Sequence, residues 1–196
     1  AKSAKCKRSI SDQVSDIVMI LLPLNVIKYH ASFVLTLVME IANVRDLQEG
    51  DYVKWVRLLD LYNEYHNSSL EEKIKRHTFK RCVDPNVDMW SALAIHHETG
   101  KIVGFANYLK HMYTRGERDK IYISDLYVDE SQRSKGVGRS LIQHVYKKAD
   151  EMGDVCDVYW FTDIENHTAR ALYTKVGYDS GKIVFKRPKN ECAKEQ

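Results

Sequence analysis

The segment best suited to binding chemistry is a basic, glycine-containing stretch that lies between two apolar stretches. It reads Gln132-Arg133-Ser134-Lys135-Gly136-Val137-Gly138-Arg139. The two glycines let the backbone approach a ligand closely. If a helix begins within this segment, its first N–H groups lack carbonyl partners and the helix dipole favours negative charge beside them. The segment therefore predicts a site for a phosphate or a pyrophosphate.

Two common phosphate-binding motifs do not match this segment. A P-loop requires GxxxxGK[ST], and a dinucleotide-binding fingerprint requires GxGxxG soon after the first strand. The spacing Arg133-x-x-Gly136-x-Gly138 satisfies neither pattern. Taken alone, these residues also fit a glycine turn that binds no ligand, so the surrounding sequence must decide between the two interpretations.

Hydrophobic periodicity predicts the elements on either side of the segment. The apolar stretch Lys120–Val128 predicts a strand that leads directly into the glycine turn. From Gly136 to Met152 apolar residues recur every four positions, which predicts a helix with one buried face. That face consists of Val137, Leu141, Val145 and Ala149, flanked by Ile142, Tyr146 and Met152. We expect Gly153 to end the helix.

The rest of the chain alternates between helical and strand patterns in the same way. We predict a strand at Thr36–Val44, helices at Glu49–His66 and Leu70–Cys82, strands at Met89–Ile95, Lys101–Lys110 and Val155–Thr162, a helix at His167–Val176 and a strand at Lys182–Lys186. With 196 residues, of which 44% are hydrophobic, the chain can form one domain with a sizeable core. The order of elements predicts a mixed α/β sandwich, with helices packed on a central sheet.

Composition narrows the classes of partner. The net charge is +3 and no long run of Lys or Arg occurs, so we expect no direct binding to nucleic acid. The four cysteines lie far apart, which argues against a zinc site or a disulfide framework and favours a reducing compartment, the cytoplasm or the nucleus. The pair His96-His97 precedes a turn sequence, where histidines are usually solvated. We therefore expect no metal.

Residues 1–35 differ from the remainder of the chain. A basic head precedes the apolar run Ile17–Leu24, which is too short to span a bilayer and is interrupted by Pro23. The pattern resembles a short targeting segment. It equally fits an extension that packs loosely, or a gene model begun too far upstream, with Met39 as an alternative start. In either case we expect no association with a membrane.

A second block downstream of the glycine turn carries a family resemblance. The turn matches the pattern [QR]xxGx[GA], and Ala169-Arg170-Ala171-Leu172-Tyr173-Thr174-Lys175-Val176-Gly177-Tyr178 matches AxxLYxKxGF/Y. The two blocks occur in this order, separated by one helix and one strand. Together they resemble the GNAT superfamily of acetyl-CoA-dependent N-acetyltransferases. The resemblance implies a mostly antiparallel central sheet with flanking helices and a splayed strand pair that holds acetyl-CoA.

Two further sequence segments make the resemblance closer to one branch of that superfamily. Asp51-Tyr52-Val53-Lys54-Trp55 and Gly104-Phe105-Ala106-Asn107-Tyr108-Leu109 resemble the fungal Hpa-type acetyltransferases. That branch is associated with acetylation of histones, of polyamines or other basic amines, and of D-amino acids, and with dimers or tetramers. We accordingly expect an N-terminal extension at residues 1–35, the acetyltransferase domain at residues 36–190 and a polar tail at residues 191–196.

The resemblance also assigns residues to the acetyl-CoA site. The strands at 121–128 and 155–161 would splay apart, and the pantetheine arm would bond to backbone groups of Leu126, Tyr127 and Val128. The pyrophosphate would lie on the N–H groups of residues 134–139. Positive charge would come from Arg133, Lys135 and Arg139, although exposed side chains there could equally be solvated. Asn166 matches a position whose side chain commonly contacts the cofactor.

Catalysis in such enzymes is direct attack of a neutral amine on the thioester carbonyl, which requires a base and a proton donor for the leaving sulfur. Tyr173 matches the family's motif tyrosine and is the candidate donor; the alternative is a core tyrosine. Some members place a Glu where this chain has Ser124, and a serine cannot replace that carboxylate. Asp125 remains as a base acting through water, or as a buried acid satisfied by backbone donors.

The acceptor side is less constrained by the sequence. Tyr62 and Tyr65 of the first predicted helix, and Tyr108, are candidates to line the amine pocket, or else they form an aromatic core stripe. His111 at a strand end is a further candidate, because the pKa of histidine suits proton transfer near neutrality. The acceptor would be a small amine or a basic peptide. The competing function is a non-catalytic acyl-CoA-binding or scaffolding protein, which Ser124 favours and Tyr173 opposes.

Overall fold

The computed structural model describes residues 42–188, so the predicted extension at residues 1–35 and the predicted tail at residues 191–196 lie outside the described residues. The described part contains five strands and four α-helices. In chain order these are β1 (Ala42–Asp46), α1 (Tyr52–Tyr65), α2 (Glu72–Val83), β2 (Met89–His96), β3 (Ile102–His111), β4 (Asp119–Val128), α3 (Val137–Met152), β5 (Val155–Trp160) and α4 (His167–Val176). Short 3-10 turns at Glu49–Asp51 and Glu130–Gln132 precede α1 and α3.

The five strands form one sheet in the order β1-β2-β3-β4-β5. The pairs β1–β2, β2–β3 and β3–β4 are antiparallel. β5 pairs parallel with β4, because the chain returns to the sheet through the crossover helix α3. This mixed, mostly antiparallel sheet with flanking helices confirms the predicted α/β class.

Helices α1 and α2 cover one side of the sheet, which we call the α1 face. Their apolar residues pack against Leu93, Phe105 and Tyr127, one residue from each of the three central strands. Trp55 is fully buried in this layer, with its ring beside those of Phe79 and Phe105. The aromatic layer ties α1 to the middle of the sheet and fixes its position over β3 and β4.

Helices α3 and α4 cover the opposite side, the α3 face. The buried residues of α3 are the four predicted from the four-residue period, Val137, Leu141, Val145 and Ala149, together with the flanking Ile142. Gly104 permits close packing here, because a Cβ at this position would lie only 2.8 Å from the carbonyl oxygen of Tyr127 and 3.3 Å from Leu141. The helix ends at Gly153, which has a φ of 73° as the predicted cap requires.

Two predicted strands differ from the structure. The first was expected at Thr36–Val44 but runs from Ala42 to Asp46 in the described part. The last, at Lys182–Lys186, is wrong, because this segment belongs to no strand and Phe185 is 88% exposed. A strand needs a neighbour for its backbone hydrogen bonds, and an apolar pattern does not supply one.

Between residues 42 and 188, no helix combines the length and the continuous apolar sequence needed to cross a membrane.

Candidate active site

The outer edge of β4 is open over its second half. On one side β4 pairs with β3 as far as Val128, whereas on the other side it pairs with β5 only from Asp119 to Ile123. A register shift in the β3–β4 pairing places an extra residue, Ser124, at the point where β5 departs. In the described chain, the residues beyond this bulge therefore have one edge without a strand partner. They include Leu126, Tyr127 and Val128, whose backbone was expected to bind the pantetheine arm.

The glycine turn that follows β4 presents a row of backbone N–H groups. Ser134 has a φ of 61° and Gly136 a φ of 89°, so two residues of the turn adopt left-handed conformations. The amide of Ser140 bonds to the carbonyl of Gly136 at 3.0 Å. The amides of Val137, Gly138 and Arg139 come before that bond and have no carbonyl of the helix to bind. Left-handed residues alternate with right-handed ones along the turn. Together with the free amides, this backbone conformation forms a concavity suited to an anion.

The basic side chains of the turn are held back towards the protein or point into solvent. Arg133 donates from Nε to the carbonyl oxygen of Val128 at 3.1 Å, and its guanidinium lies 5.4 Å from the ring centre of Tyr65. Lys135 donates to the carbonyl oxygen of Ser131 at 2.9 Å, and Arg139 is exposed. The backbone amides are thus the groups of the turn that are free to face an anion, while the cations supply positive potential nearby.

Close packing brings α4 up to the start of α3. A Cβ on Gly138 would lie 3.1 Å from Leu172 of α4 and 3.7 Å from Val128 of β4. Asn166 caps α4, accepting a hydrogen bond on Oδ1 from the amide of Ala169 at 3.2 Å. Its Oδ1 is used for capping, so its Nδ2 group is the part available to a ligand. Gly138 is therefore needed for packing as well as for access to the backbone.

Tyr173 lies on α4, next to the gap between β4 and β5. Its ring packs edge-on against Trp160, with ring centres 5.3 Å apart. Burial raises the pKa of the Tyr173 phenol above its usual value. The phenol is therefore protonated at neutral pH and able to donate a proton.

Asp125 lies on the α1 face, immediately after the bulge. Its Oδ2 accepts hydrogen bonds from Asn107 Nδ2 and from Ser124 Oγ, both at 3.0 Å. Both bonds come from side chains. The alternative interpretation of Asp125, a buried acid satisfied by backbone donors, requires backbone N–H groups in their place. Because both donors share one oxygen, Oδ1 is the oxygen on which Asp125 can accept a further proton or water.

A buried polar chain fixes the orientation of Asn107. The indole Nε1 of Trp55 lies 3.4 Å from Asn107 Oδ1 and 3.2 Å from Ser91 Oγ. An indole N–H can only donate, so it requires the oxygen of the Asn107 amide and turns the NH₂ group towards Asp125. Trp55, Ser91 and Asn107 are all buried. Sequence reasoning assigned no role to Asn107; its signal was a polar residue within the apolar run of β3.

Tyr62 faces the same space as Asp125. Burial raises the pKa of its phenol well above the usual range, and the nearby Asp125 carboxylate adds to the shift, with a weaker contribution from Tyr173. Its ring packs edge-on against Phe105 and Tyr127. The structure thus places Tyr62 close to Asp125 on the α1 face, and Tyr173 of α4 close enough to Tyr62 to contribute to its pKa shift.

Three of the predicted acceptor residues do not contact Asp125. Tyr108 is 1% exposed and stacks on Trp90 on the α3 face. Adjacent strand residues project to opposite faces, so Tyr108 points away from the face that carries Asn107. His111 lies at the far end of β3, paired with Lys120, whereas Asn107 pairs with Asp125. Tyr65 is exposed at the end of α1, beside Arg133.

Within residues 42–188, no group of three or more His, Cys, Asp or Glu side chains is arranged to hold a metal ion.

The chain resembles known acetyltransferases in sequence. Residues 55–178 match the model of the "Acetyltransferase (GNAT) family". Over 144 residues, 74% of this chain and 89% of the relative, the sequence is 42% identical to the D-amino-acid N-acetyltransferase HPA3 of Saccharomyces cerevisiae. Over 138 residues, 70% of this chain and 89% of the relative, it is 26% identical to the uncharacterised N-acetyltransferase YhfO of Bacillus subtilis.

Solved structures share the fold at lower sequence identity. An aminoglycoside acetyltransferase, meta-AAC0020, from an uncultured soil metagenomic sample superposes with a TM-score of 0.64 at 22% identity, covering 78% of this chain and 98% of that one. AAC(6')-Iy in complex with a CoA-containing bisubstrate analogue superposes with a TM-score of 0.65 at 17% identity, covering 76% and 99%. These likenesses concern the fold of the chain.

Proposed function

This chain belongs to the GNAT family and is an acetyl-CoA-dependent N-acetyltransferase, and we propose that its acceptor is the primary amine of a D-amino acid. The observation that carries this proposal is the 42% identity to a D-amino-acid N-acetyltransferase over most of both chains. Histone lysines and polyamines, the other acceptors implied by the sequence resemblance, are the competing candidates. The family membership favours catalysis over the alternative of a protein that only binds acyl-CoA.

We propose that acetyl-CoA binds along the open edge of β4, with its pyrophosphate on the glycine turn. The free strand edge at Leu126–Val128 suits the amide groups of a pantetheine arm, because both can form strand-like backbone hydrogen bonds. The amides of Val137, Gly138 and Arg139 suit a pyrophosphate. Acetyl-CoA supplies the activated acetyl group; the residues described here bind it and handle protons.

Asp125 is the proposed base for the acceptor amine. Asn107 and Ser124 hold its Oδ2, which leaves Oδ1 to take a proton from the ammonium form of the acceptor, directly or through a water molecule. The neutral nitrogen then attacks the acetyl carbon with its lone pair, and after the bond forms it releases a second proton to solvent. Tyr62, whose phenol stays protonated, lies beside the carboxylate and is a candidate to orient the amine.

Tyr173 is the proposed donor to the departing sulfur. Its raised pKa keeps the phenol protonated, and α4 holds it beside the gap where the thioester would lie. When the carbon–sulfur bond breaks, the proton of Tyr173 passes to the thiolate. We predict that Tyr173→Phe lowers kcat about 10- to 100-fold, as expected for loss of a general acid, while the Kd for acetyl-CoA changes less than twofold.

Free-thiol release tests the acceptor. The purified protein is incubated with acetyl-CoA and, in separate reactions, with D-alanine, D-phenylalanine, their L-enantiomers, spermidine and a histone tail peptide. The expected result is turnover with the D-amino acids and at most one-tenth of that rate with the other acceptors. Faster turnover of spermidine or of the peptide would replace the proposed acceptor, and thermal stabilisation by acetyl-CoA reports separately that the cofactor binds.

We further propose that the enzyme is a homodimer or tetramer. β5 forms an edge of the sheet, and Ile183 and Phe185 of the segment after α4 are exposed. An open strand edge and an exposed apolar segment both favour association with another copy. Light scattering after size exclusion is expected to show an oligomer that Phe185→Asp weakens.

Cysteine usage supports a reducing compartment, the cytoplasm or the nucleus, for this enzyme. Cys82 is buried, and burial raises the pKa of its thiol to about 12, so it is unreactive. Cys156 is a free exposed thiol, which is more easily kept in a reducing environment.

A further inference from the structure

Four aromatic rings form a continuous surface on the α1 face, where β3, β4 and β5 lie side by side. We call it the aromatic platform; it consists of His111, Tyr122, Tyr159 and Phe161. Tyr122 and Tyr159 are opposite each other in the β4–β5 pairing, with ring centres 5.3 Å apart. Phe161 lies 5.5 Å from Tyr122 and 5.6 Å from Tyr159. Each spacing is that of rings in direct contact.

Hydrogen bonds of His111 hold the centre of the platform. His111 Nδ1 lies 2.9 Å from the carbonyl oxygen of Met112, and its Nε2 lies 3.0 Å from the hydroxyl of Tyr159. A carbonyl can only accept, so Nδ1 carries a proton. In the neutral imidazole Nε2 then accepts from the tyrosine, and this bond fixes the Tyr159 ring. A fixed ring loses little conformational entropy when a ligand packs on it.

The platform is accessible to a ligand. Phe161 is 57% exposed, and Tyr122 and Tyr159 are half-buried. A large apolar side chain left in water is costly, and three adjacent aromatic rings at a sheet surface are typical of a binding site. α1 packs over β3 and β4 at Phe105 and Tyr127, nearer the other end of the sheet.

The platform continues into the proposed active site. Tyr122 precedes Asp125 on β4, and the bulge at Ser124 places both side chains on the α1 face. With about 3.3 Å per strand residue, reduced by the bulge, the two Cα atoms lie roughly 7–10 Å apart along the strand. The charge of Asp125 adds to the effect of burial in raising the pKa of Tyr122, which reflects this proximity.

We infer that the aromatic platform binds the side chain of the acceptor while Asp125 receives its amine, so that the preferred acceptors are amines with an aromatic or large apolar side chain. This inference rests on the proposed function. The negative charge of Asp125 complements the ammonium of such a molecule, and the exposed rings complement its apolar part. Acceptors without a large side chain make only the first contact.

Phe161→Ala tests the inference, because this exposed ring can be removed without opening a cavity in the core. Ile164→Ala is the matched control, since Ile164 is apolar, 72% exposed and three residues further along the chain. For Phe161→Ala, the KM for D-phenylalanine is expected to rise about tenfold, kcat to change less than twofold, and kcat/KM for D-alanine to stay within twofold. Ile164→Ala is expected to behave as the wild type with both acceptors.

A second variant and a second pair of acceptors separate the two proposals. Tyr159→Leu removes another ring of the platform and is expected to raise the KM for D-phenylalanine more than that for D-alanine. If neither D-amino acid is acetylated, phenylethylamine and ethylamine replace them as the large and the small acceptor. A rise in KM that is larger for phenylethylamine than for ethylamine then supports the platform, although the proposal of a D-amino acid acceptor has failed. Equal changes with large and small acceptors, no change with either, or no turnover of any of these amines would overturn the inference.

Discussion

The two halves of the proposed active site are built from different parts of the chain. The proposed anion site consists of the main-chain amides of Val137, Gly138 and Arg139, in a turn with left-handed backbone at Ser134 and Gly136. The amine site consists of side chains from separate elements, Tyr62 of α1, Asn107 of β3 and Asp125 of β4. A backbone site tolerates many side chains, whereas a side-chain site changes with each substitution. A site made of backbone amides therefore suits acetyl-CoA, the cofactor that the family shares. A site made of side chains suits an acceptor that varies.

The largest expected effect concerns the base on the amine side. Asp125→Asn keeps the size of the side chain but removes its ability to accept a proton, so kcat should fall about 100- to 10,000-fold. The Kd for acetyl-CoA, measured by calorimetry, should change less than twofold because the anion site is separate. Asp157→Asn, an exposed carboxylate paired with Lys120, is the control and should retain activity. A similar loss in both variants, or a weakened Kd for acetyl-CoA in Asp125→Asn, would show that the two halves are not independent.

The next largest effect tests the buried polar chain beneath the base. Asn107→Ala leaves Asp125 without one donor and Trp55 without one acceptor, which should cost about 1–3 kcal/mol of unfolding free energy. It should also lower kcat about tenfold while the KM for the acceptor changes less than twofold, because Asp125 is then held by Ser124 alone. Asn86→Ala removes an exposed asparagine that bonds only to Asp84 and serves as control. A loss of stability with an unchanged kcat would assign Asn107 a purely structural role.

A smaller effect is expected at the backbone site. Gly136 has a φ of 89°, and an alanine there should cost about 1 kcal/mol of stability through backbone strain alone, since a Cβ would meet no atom within 4 Å. The distorted turn should weaken acetyl-CoA binding roughly threefold to tenfold, whereas the KM for the acceptor should stay constant. Gly116→Ala, at a glycine without positive φ, is the control. Calorimetry and denaturant unfolding measure both quantities, and an acceptor KM that rises with the acetyl-CoA Kd would contradict the division.

The smallest effect lies outside both sites. The pKa of Asp46 is lowered to about 2, mainly by the hydrogen bond from His144 and further by Lys148. Since this folded-state pKa lies below the usual 3.8, the carboxylate stabilises the fold above about pH 4, and the contribution disappears as the pH falls towards 2. Asp46 is half-exposed, so we expect Asp46→Asn to lose only about 1 kcal/mol at pH 7 after allowing for solvent screening.

Urea unfolding at pH 7 and at low pH measures the Asp46 effect. The difference between variant and wild type should shrink as the pH is lowered, and kcat at pH 7 should be unchanged because Asp46 binds α3 residues away from the base. A difference that is equal at both pH values would exclude this linkage.

Local pattern was sufficient to predict most of the fold. The four-residue period of α3, its end at Gly153 and the extent of α4 at His167–Val176 match the structure, because burial of one face of a helix leaves a direct record in the spacing of apolar residues. The glycine turn could be predicted from the sequence for a similar reason, because its backbone conformation depends on residues that are neighbours in the chain. The strand predicted at Lys182–Lys186 shows the limit, because a strand is defined by a partner that local sequence does not specify.

The structure brings together only some of the side chains predicted for the acceptor side. Tyr62 lies close to Asp125, but Tyr108 points to the opposite side of the sheet, and His111 lies at the far end of β3 within the aromatic platform. Within a strand, a shift of one residue reverses the face, and the bulge at Ser124 makes such a shift. The contacts of Asn107 with Trp55 and Asp125 join residues 52 and 18 positions apart in the chain.

By itself the sequence determined the α/β class, the anion-binding turn and the resemblance to acetyltransferases, since each depends on short-range spacing or on a contiguous motif. Only the tertiary structure decided which side chains meet Asp125, where the edge of β4 opens and which aromatic residues form the platform. Those features arise from strand pairing and helix packing between residues distant in the chain, and the face that each strand residue presents is set by register.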